Sequence, residues 1–331
     1  RYTPHAMVER LLVTLADAGF LDPARQLFAC VHFNAGWSGD LMLLAHDVPD
    51  ADLAPFRDRG IHVREAERWV AGPRGEHFHP PTCLAKFEVF HRDFRSWDRV
   101  VYLDGDMMFW ASLDGVCQGR GLRAVSERRP LSRQYSRRDT DPALAGELAT
   151  RADLGREAFN SGLMAFSTDL IADDTLQRLR DLWERYQSVQ FHPFGDQPGL
   201  NLMFQPQWRP LPDFFAAIRD HSARYFHLPE DGLRMIGKHF AGTPRPWDDT
   251  HPLHSEWRAN LARFEDLDAR RPRAAAATWS PARVRGYWTW LHLRRAAFQL
   301  GETLDNLRKR LRRTAAAQRA RGLLRRVARR R

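Results

Sequence analysis

Short unbroken apolar runs alternate, in the first hundred residues, with segments whose apolar positions fall three or four apart, as buried strands separated by helices do. Arg10-Leu11-Leu12-Val13-Thr14-Leu15-Ala16-Asp17 reads as a buried strand. Asp22-Pro23-Ala24-Arg25 then offers an N-cap and a first-turn proline for a helix running to about Phe33. Asp40 to Ala45 is a second strand, and Ile61 to Arg64 a third. Between them Asp50 to Arg59 is a short helix, with Asp50 as its N-cap and Gly60 as its stop. Strand alternating with helix at this spacing predicts an α/β fold with a mostly parallel sheet and right-handed crossovers.

Farther along, a loop rich in Gly, Pro and His from Ala71 to Pro81 leads into a helix over Thr82 to Arg95, whose apolar positions are Leu84, Phe87, Val89, Phe90 and Phe94. The run Val100 to Phe109 reads as one strand interrupted by two carboxylates, and Leu122 to Ser126 as another. Glu127 to Asp141 is polar and basic and is expected to be a mobile loop. Helices are expected over Thr175 to Ser188 and Gln197 to Phe204. Beyond Arg270 the composition shifts to Ala, Arg and Trp, so a catalytic domain over 1–265 and a basic helical tail over 266–331 are expected.

Charge sharpens that division. Arg294 to Arg331 holds 14 of the 51 Lys and Arg against Glu302 and Asp305 alone, which leaves 37 basic and 39 acidic residues elsewhere. The net charge of +10 therefore belongs to the tail and says nothing about the substrate of the main domain. Cys30, Cys83 and Cys117 are too few and too scattered for a disulfide framework or a zinc cluster. With no apolar run of about 20 residues and no leader pattern, a cytoplasmic location is expected.

The segment Val100-Val101-Tyr102-Leu103-Asp104-Gly105-Asp106-Met107-Met108-Phe109 carries the first chemical hint. Carboxylates at the end of an apolar strand lie where open α/β sheets bind ligands. In an extended chain Asp104 and Asp106 share one face, and a cation between them would relieve their repulsion. Mg²⁺ or Mn²⁺ completed by diphosphate oxygens is the usual occupant, although an Asp-x-Asp by itself is often only a solvated turn.

Four more segments accompany it: Leu84-Ala85-Lys86-Phe87, then Phe159-Asn160-Ser161-Gly162-Leu163-Met164-Ala165-Phe166, then Asp196-Gln197-Pro198-Gly199-Leu200-Asn201, and His239-Phe240-Ala241-Gly242-Thr243-Pro244-Arg245-Pro246-Trp247. In this order and at these intervals the set, from about Leu11 to Trp247, resembles the family 8 glycosyltransferases, which include glycogenin and bacterial lipopolysaccharide galactosyl- and glucosyltransferases. The resemblance implies a GT-A type nucleotide-sugar transferase fold with a Rossmann-like sheet. It implies that Asp104, Asp106 and His239 hold Mn²⁺ or Mg²⁺, and the imidazole favours manganese. Arg245 stands where the family usually has Lys and would contact the diphosphate as a planar fork rather than a point charge. Gly242 would let the backbone approach the phosphates. Lys86 would offset leaving-group charge, or else lie on a solvated helix face.

The first strand resembles the family's nucleotide-binding opening, with Thr14, Ala16, Asp17 and Phe20 around uracil and ribose and Gly105 beside them. Phe20 replaces the usual Tyr, and Asp17 reads equally as a helix cap. Asn160, Ser161 and Gly162 match an Asn-x-Gly at the donor sugar. Asp196 would bind sugar hydroxyls while Gln197 lies near the anomeric carbon, with Pro198 a departure from the common Asp-Gln-Asp.

The activity implied is transfer of a hexose from a UDP-sugar, with retention, to a saccharide or lipid-linked acceptor of lipopolysaccharide or capsule type. Retaining chemistry by double displacement needs a carboxylate nucleophile, and Gln197 occupies the expected place, so front-face transfer is the simpler expectation. The acceptor pocket is expected from Glu127 to Asp141 and Pro212 to Arg234. Tyr287 to Arg295 and the leucines beyond it suit an anionic membrane surface at the inner face of the cytoplasmic membrane, or a solvated Arg/Ala-rich tail. Two other classes remain: a divalent-metal nucleotidyltransferase or phosphoesterase, and a nucleic-acid binder acting through the tail. The near-neutral body argues against the latter, and neither predicts Asn160, Gln197 and His239 at their intervals.

Overall fold

β1 (Arg10–Ala16) is buried along almost its whole length, as a strand covered on both sheet faces must be. A computed structural model describes residues 9–69, 81–191, 195–218, 236–242 and 244–270, with Thr289, Leu304 and Arg308. The expected loop Ala71 to Pro80, most of Pro212 to Arg234 and nearly all of the tail lie outside these residues. The chain divides into a unit of Arg1–Arg219 with Arg234–Thr278, and a second of Asp220–Leu233 with Trp279–Arg331. Every element named below belongs to the first. Among the described residues no helix is long and apolar enough to cross a membrane.

β1 pairs in parallel with β2 (Asp40–Ala45), and β2 with β3 (His62–Glu65). On its other side β1 pairs in parallel with β4 (Arg99–Leu103). The strand order reverses at β1, and the crevice beyond the carboxyl ends of β1 and β4 is the place where such sheets take ligands. Asp104 is the first residue past β4.

The expected single strand over Val100 to Phe109 is in fact two. After β4 the chain turns at Gly105 and Asp106, and β5 (Met107–Phe109) joins a separate three-stranded sheet, in the order β5-β10-β9. The two carboxylates therefore come together through a turn between sheets, not through strand alternation. β6 (Leu122–Pro130) overruns the expected strand and includes Glu127, so the first part of the expected mobile loop is sheet. β7 (Glu157–Ser167) runs antiparallel to both β4 and β6 and carries the Asn-x-Gly motif. β8 (Arg209–Leu211) completes the seven-stranded sheet, and β9 (Ala217–Ile218) and β10 (Gly237–His239) complete the small one.

The helices match their expected places more closely than their expected caps. α1 (Leu21–Phe33) begins after Phe20 without a side-chain cap, because Asp17 instead caps the 3-10 turn Ala18–Phe20, accepting from Gly19 N at 3.0 Å. α2 (Asp50–Asp58) holds Asp50 in its first turn rather than at its N-cap. α3 (Pro142–Arg151), α4 (Thr175–Tyr186) and α5 (Gln197–Phe204) follow, and α6 (His254–Ala262) is tied to α1 through Asn34 Nδ2 and Asn260 Oδ1 at 3.2 Å.

The expected helix over Thr82 to Arg95 is two 3-10 segments, Pro81–Phe90 and Arg92–Ser96. Leu84, Phe87 and Phe90 recur at three residues, the 3-10 period, and all three are buried. Phe90 stacks on Phe166 of β7 at 4.6 Å and meets Phe204 of α5 at 4.6 Å. This aromatic packing ties the segment bearing Lys86 to the elements bearing Asn160 and Gln197.

Thr14 is fully buried, and its hydroxyl donates to the Leu103 carbonyl at 2.8 Å, joining β1 to the last residue before Asp104. Thr14→Val should lower stability by about 1–2 kcal/mol by orphaning that acceptor, read as a lower midpoint in urea at unchanged slope. An unchanged midpoint would show that the bond contributes nothing net.

Candidate active site

Three side chains from two places in the sequence converge at the end of β4. His239 lies on β10 opposite Met107, a register that sets it beside Asp106. Its Nε2 is 3.1 Å from Asp106 Oδ1 and 3.6 Å from Asp104 Oδ2. The ligand-bearing atoms of Asp104, Asp106 and His239 all lie within 4.8 Å of one another. Two carboxylates and one imidazole form a donor set that suits Mn²⁺ or Mg²⁺, so the residues fit the ion that the motif implies.

Gly162 explains why the cluster closes so tightly. A Cβ there would lie 2.3 Å from His239 Cε1 and 2.8 Å from Asp104 Oδ2, so any side chain would displace two of the three ligands. The Gly162 carbonyl also accepts from Asp104 N at 2.8 Å. Gly242 has the opposite requirement: nothing lies within 4 Å of its would-be Cβ, but its φ of +109° favours glycine.

Lys86 is not on a solvated face. It is 4% exposed, and its ammonium reaches Asp104 Oδ1 at 3.0 Å, Asp196 Oδ2 at 3.1 Å and Ser161 Oγ at 3.3 Å. Burial opposes its charge, but Asp104 and Asp196 outweigh that and hold its pKa well above the ordinary value. Asp196 precedes α5 yet makes no capping bond, so its carboxylate serves Lys86 rather than the helix. Burial raises the pKa of Asp196, an effect that Lys86 only partly offsets. Tyr102 donates its hydroxyl to Asp104 Oδ1 at 2.9 Å.

Arg245 forms the outer wall. Its Nη1 donates to Asp106 Oδ2 at 2.8 Å, and its guanidinium lies 5.1 Å from the Trp247 ring centre and 5.9 Å from that of Phe20. Phe20 and Trp247 meet edge to face at 5.7 Å. A Cβ added at Gly105 would come into ordinary contact with Phe20 and Pro23, so the Asp-x-Asp turn lies close to Phe20. Asp17 accepts a second bond, from Thr82 Oγ1 at 3.1 Å, while Ala16 and Thr14 are wholly buried.

The motifs around Asn160 and Gln197 are laced together. Asn160 Oδ1 accepts from Gly162 N at 2.9 Å and Gln197 Oε1 from Ser161 N at 3.0 Å. Asn201 bonds both the N–H and the carbonyl of Phe159 at 2.8 Å, which fixes α5 against β7 and accounts for the distance from Gln197 to Asn201 in the motif. The structure thus brings together Lys86, Asp104, Asp106, Asn160, Ser161, Gly162, Asp196, Gln197, His239 and Arg245. Sequence reasoning missed Glu127, which accepts from Asn160 Nδ2 at 2.7 Å and Gln197 Nε2 at 3.3 Å. No motif marked it, because it lay in a polar stretch read as loop. Trp247 was visible as the end of the His239 motif but had no assigned role.

A family model for glycosyl transferase family 8 matches residues 81–251, just over half of the chain. The chain belongs to this family. Solved structures similar to this family 8 protein include the galactosyltransferase LgtC in complex with donor and acceptor sugar analogs. That one is 16% identical, with 80% of this chain and 97% of that one covered and a TM-score of 0.54. An active-site mutant of LgtC is 15% identical over 76% and 95%, with a TM-score of 0.58. The glycosyltransferase GlyE of Streptococcus pneumoniae TIGR4 is 19% identical over 78% and 62%, with a TM-score of 0.54. No curated protein sequence matched. At such identities the structural likeness speaks for the fold, which is GT-A. The match to a glycosyltransferase family displaces the nucleotidyltransferase and phosphoesterase reading of the Asp-x-Asp.

Burial alone would lower the His239 pKa, but Asp106 reverses this and the net direction is up. Asp106 mirrors it: burial would raise its pKa, and His239 with Arg245 brings it down. In the metal-free protein the contribution of His239 is therefore complete below its unfolded value of about 6.5 and is lost as pH rises through the raised folded value. That of Asp106 is lost at the acid end, as pH falls through its depressed value. Denaturant unfolding of the metal-free chain should thus show stability declining above about pH 6.5 more steeply than in His239→Asn. Parallel profiles would mean that His239 is not the group responsible.

Proposed function

We propose that this glycosyltransferase is metal-dependent and transfers a hexose from a UDP-sugar, with retention, to a saccharide or lipid-linked acceptor. The observation that carries the proposal is the convergence of Asp104, Asp106 and His239 beside two fixed cations, Lys86 and Arg245. LgtC, which shares the fold, is a galactosyltransferase crystallised with donor and acceptor sugar analogs, which supports a hexose donor and a sugar acceptor.

Asp104, Asp106 and His239 would hold the ion, which supplies Lewis-acid stabilisation of charge on the departing diphosphate. The imidazole favours Mn²⁺. Arg245 would donate to a phosphate oxygen while keeping its bond to Asp106. Lys86 keeps Asp104 and Asp196 in place and adds positive potential behind the leaving group. Phe20 and Trp247 offer an aromatic surface for the uracil. Asp196 faces the sugar hydroxyls and Gln197 the anomeric carbon.

Gln197 is a carboxamide with its oxygen already bonded to Ser161 N, a poor nucleophile for double displacement. Front-face transfer fits these residues better: the acceptor hydroxyl attacks from the side that UDP leaves, and its proton passes to a departing phosphate oxygen. Inversion at the product's anomeric centre would eliminate this mechanism.

The basic, aromatic segment from Tyr287 onward favours an anionic membrane surface, at the inner face of the cytoplasmic membrane, as the place where a lipid-linked acceptor is met. The full chain should co-sediment with phosphatidylserine vesicles and not with neutral ones; equal recovery from both would remove this placement.

The donor site is tested by thermal unfolding with UDP, with and without Mn²⁺, on the intact chain and on Asp104→Asn. UDP at about 100 times its dissociation constant should stabilise the chain by roughly 2.7 kcal/mol when Mn²⁺ is present, and the shift should vanish in the variant. A folded chain that shows no shift under any condition refutes a UDP-sugar donor.

A further inference from the structure

Glu127 is aimed by a distortion of the sheet. Pairing between β6 and β7 slips between Ala124 and Val125, just before it, and again between Ser126 and Pro130, the stretch that contains it. Arg128, the next residue, has φ of +53°, a left-handed backbone that costs an L side chain energy. Ser126 Oγ accepts from Arg128 N at 2.8 Å and the Arg128 guanidinium pairs with Asp213, so the distortion is held from two sides. Bulges beside sites re-aim side chains, and strained residues persist where the surroundings over-determine them.

The side chain re-aimed here is a carboxylate that collects two amides on one oxygen. Asn160 Nδ2 and Gln197 Nε2 both donate to Glu127 Oε1, while the carbonyl ends of the same two side chains are held by the N–H groups of Gly162 and Ser161. Each carboxamide is thus fixed at both ends. A flip of either would set its oxygen against the carboxylate.

We propose that Glu127 is a positioning residue for the transfer reaction, fixing the orientation of the Asn160 and Gln197 carboxamides at the sugar end of the site. The inference rests on transfer from a UDP-sugar, and its test separates the two. A polar group displaced by about 1 Å costs on the order of 100-fold in rate, which sets the size of the effect.

The experiment uses the full chain as wild type, E127Q and E127A. The side-chain NH₂ signals of Asn160 and Gln197 are followed by ¹⁵N NMR, which needs no donor. Both should be shifted and protected from exchange in wild type, largely kept in E127Q, whose amide oxygen still accepts, and moved to solvent-like values in E127A. Hydrolysis of UDP-glucose and UDP-galactose with Mn²⁺ is measured alongside. E127A should lose about 100-fold in kcat with its UDP-dependent thermal shift intact, and E127Q should recover to within about tenfold of wild type. Unchanged amide signals in E127A, or wild-type turnover, would overturn the proposal. So would an E127Q as inactive as E127A, since charge rather than orientation would then matter. Rescue of E127A by azide with release of a glycosyl azide would make Glu127 the nucleophile of a double displacement instead. If wild type hydrolyses neither sugar nucleotide and shows no UDP shift, the donor reading fails while the amide spectra still decide the positioning.

Discussion

The ammonium of Lys86 is the interaction on which this site depends. It is buried among Asp104, Asp196 and Ser161, pairing with the two carboxylates and donating to the Ser161 hydroxyl. Removing it would leave two carboxylates facing each other in a dry environment, where an uncompensated charge costs several kcal/mol. The aromatic packing of Phe87 and Phe90 exists, in effect, to place this one charge: a 3-10 segment with an apolar residue every third position buries one side and delivers Lys86 from another. The Asp-x-Asp turn, the start of α5 and the Asn-x-Gly strand meet through it.

The parallel half of the sheet was legible because β1 and β2 are apolar at every position but Arg10, Thr14 and Asp40, a pattern that few solvent-facing strands show. The antiparallel half was harder to read. β7 is long and carries polar residues at its functional end, and β6 ends in Ser-Glu-Arg-Arg-Pro, which looks like loop in any one-dimensional pattern. The 3-10 segment was read as α-helix because Leu84, Phe87 and Phe90 satisfy both periods, and only packing decides between them.

The site itself was readable to the extent that its residues sit in contiguous motifs. His239 is far in sequence from Asp104 and Asp106, yet it meets them because β10 pairs with β5 in one register. Lys86 was seen, but its partners were not, since nothing in a sequence says which carboxylate a buried lysine will face. Thr14 and Ala16 lie in the strand expected to open the nucleotide site, but both are fully buried, and the hydroxyl of Thr14 is committed to a strand carbonyl. Glu127 fell within the stretch expected at the acceptor pocket but drew no role of its own, because its placement comes from backbone distortion, which no residue-type pattern encodes.

The ion pair between Arg245 and Asp106 has a consequence for how the empty cleft behaves. With Lys86 on Asp104 and Arg245 on Asp106, the acidic groups are neutralised by the protein's own side chains, and the cleft is an internal salt before any ligand arrives. Small zinc domains are different, since their ligands are gathered by the ion and scatter without it. Here strand pairing and the two counter-ions hold the ligands. Withdrawal of the proposed ion by a chelator would therefore take charge from this cleft and leave its architecture standing.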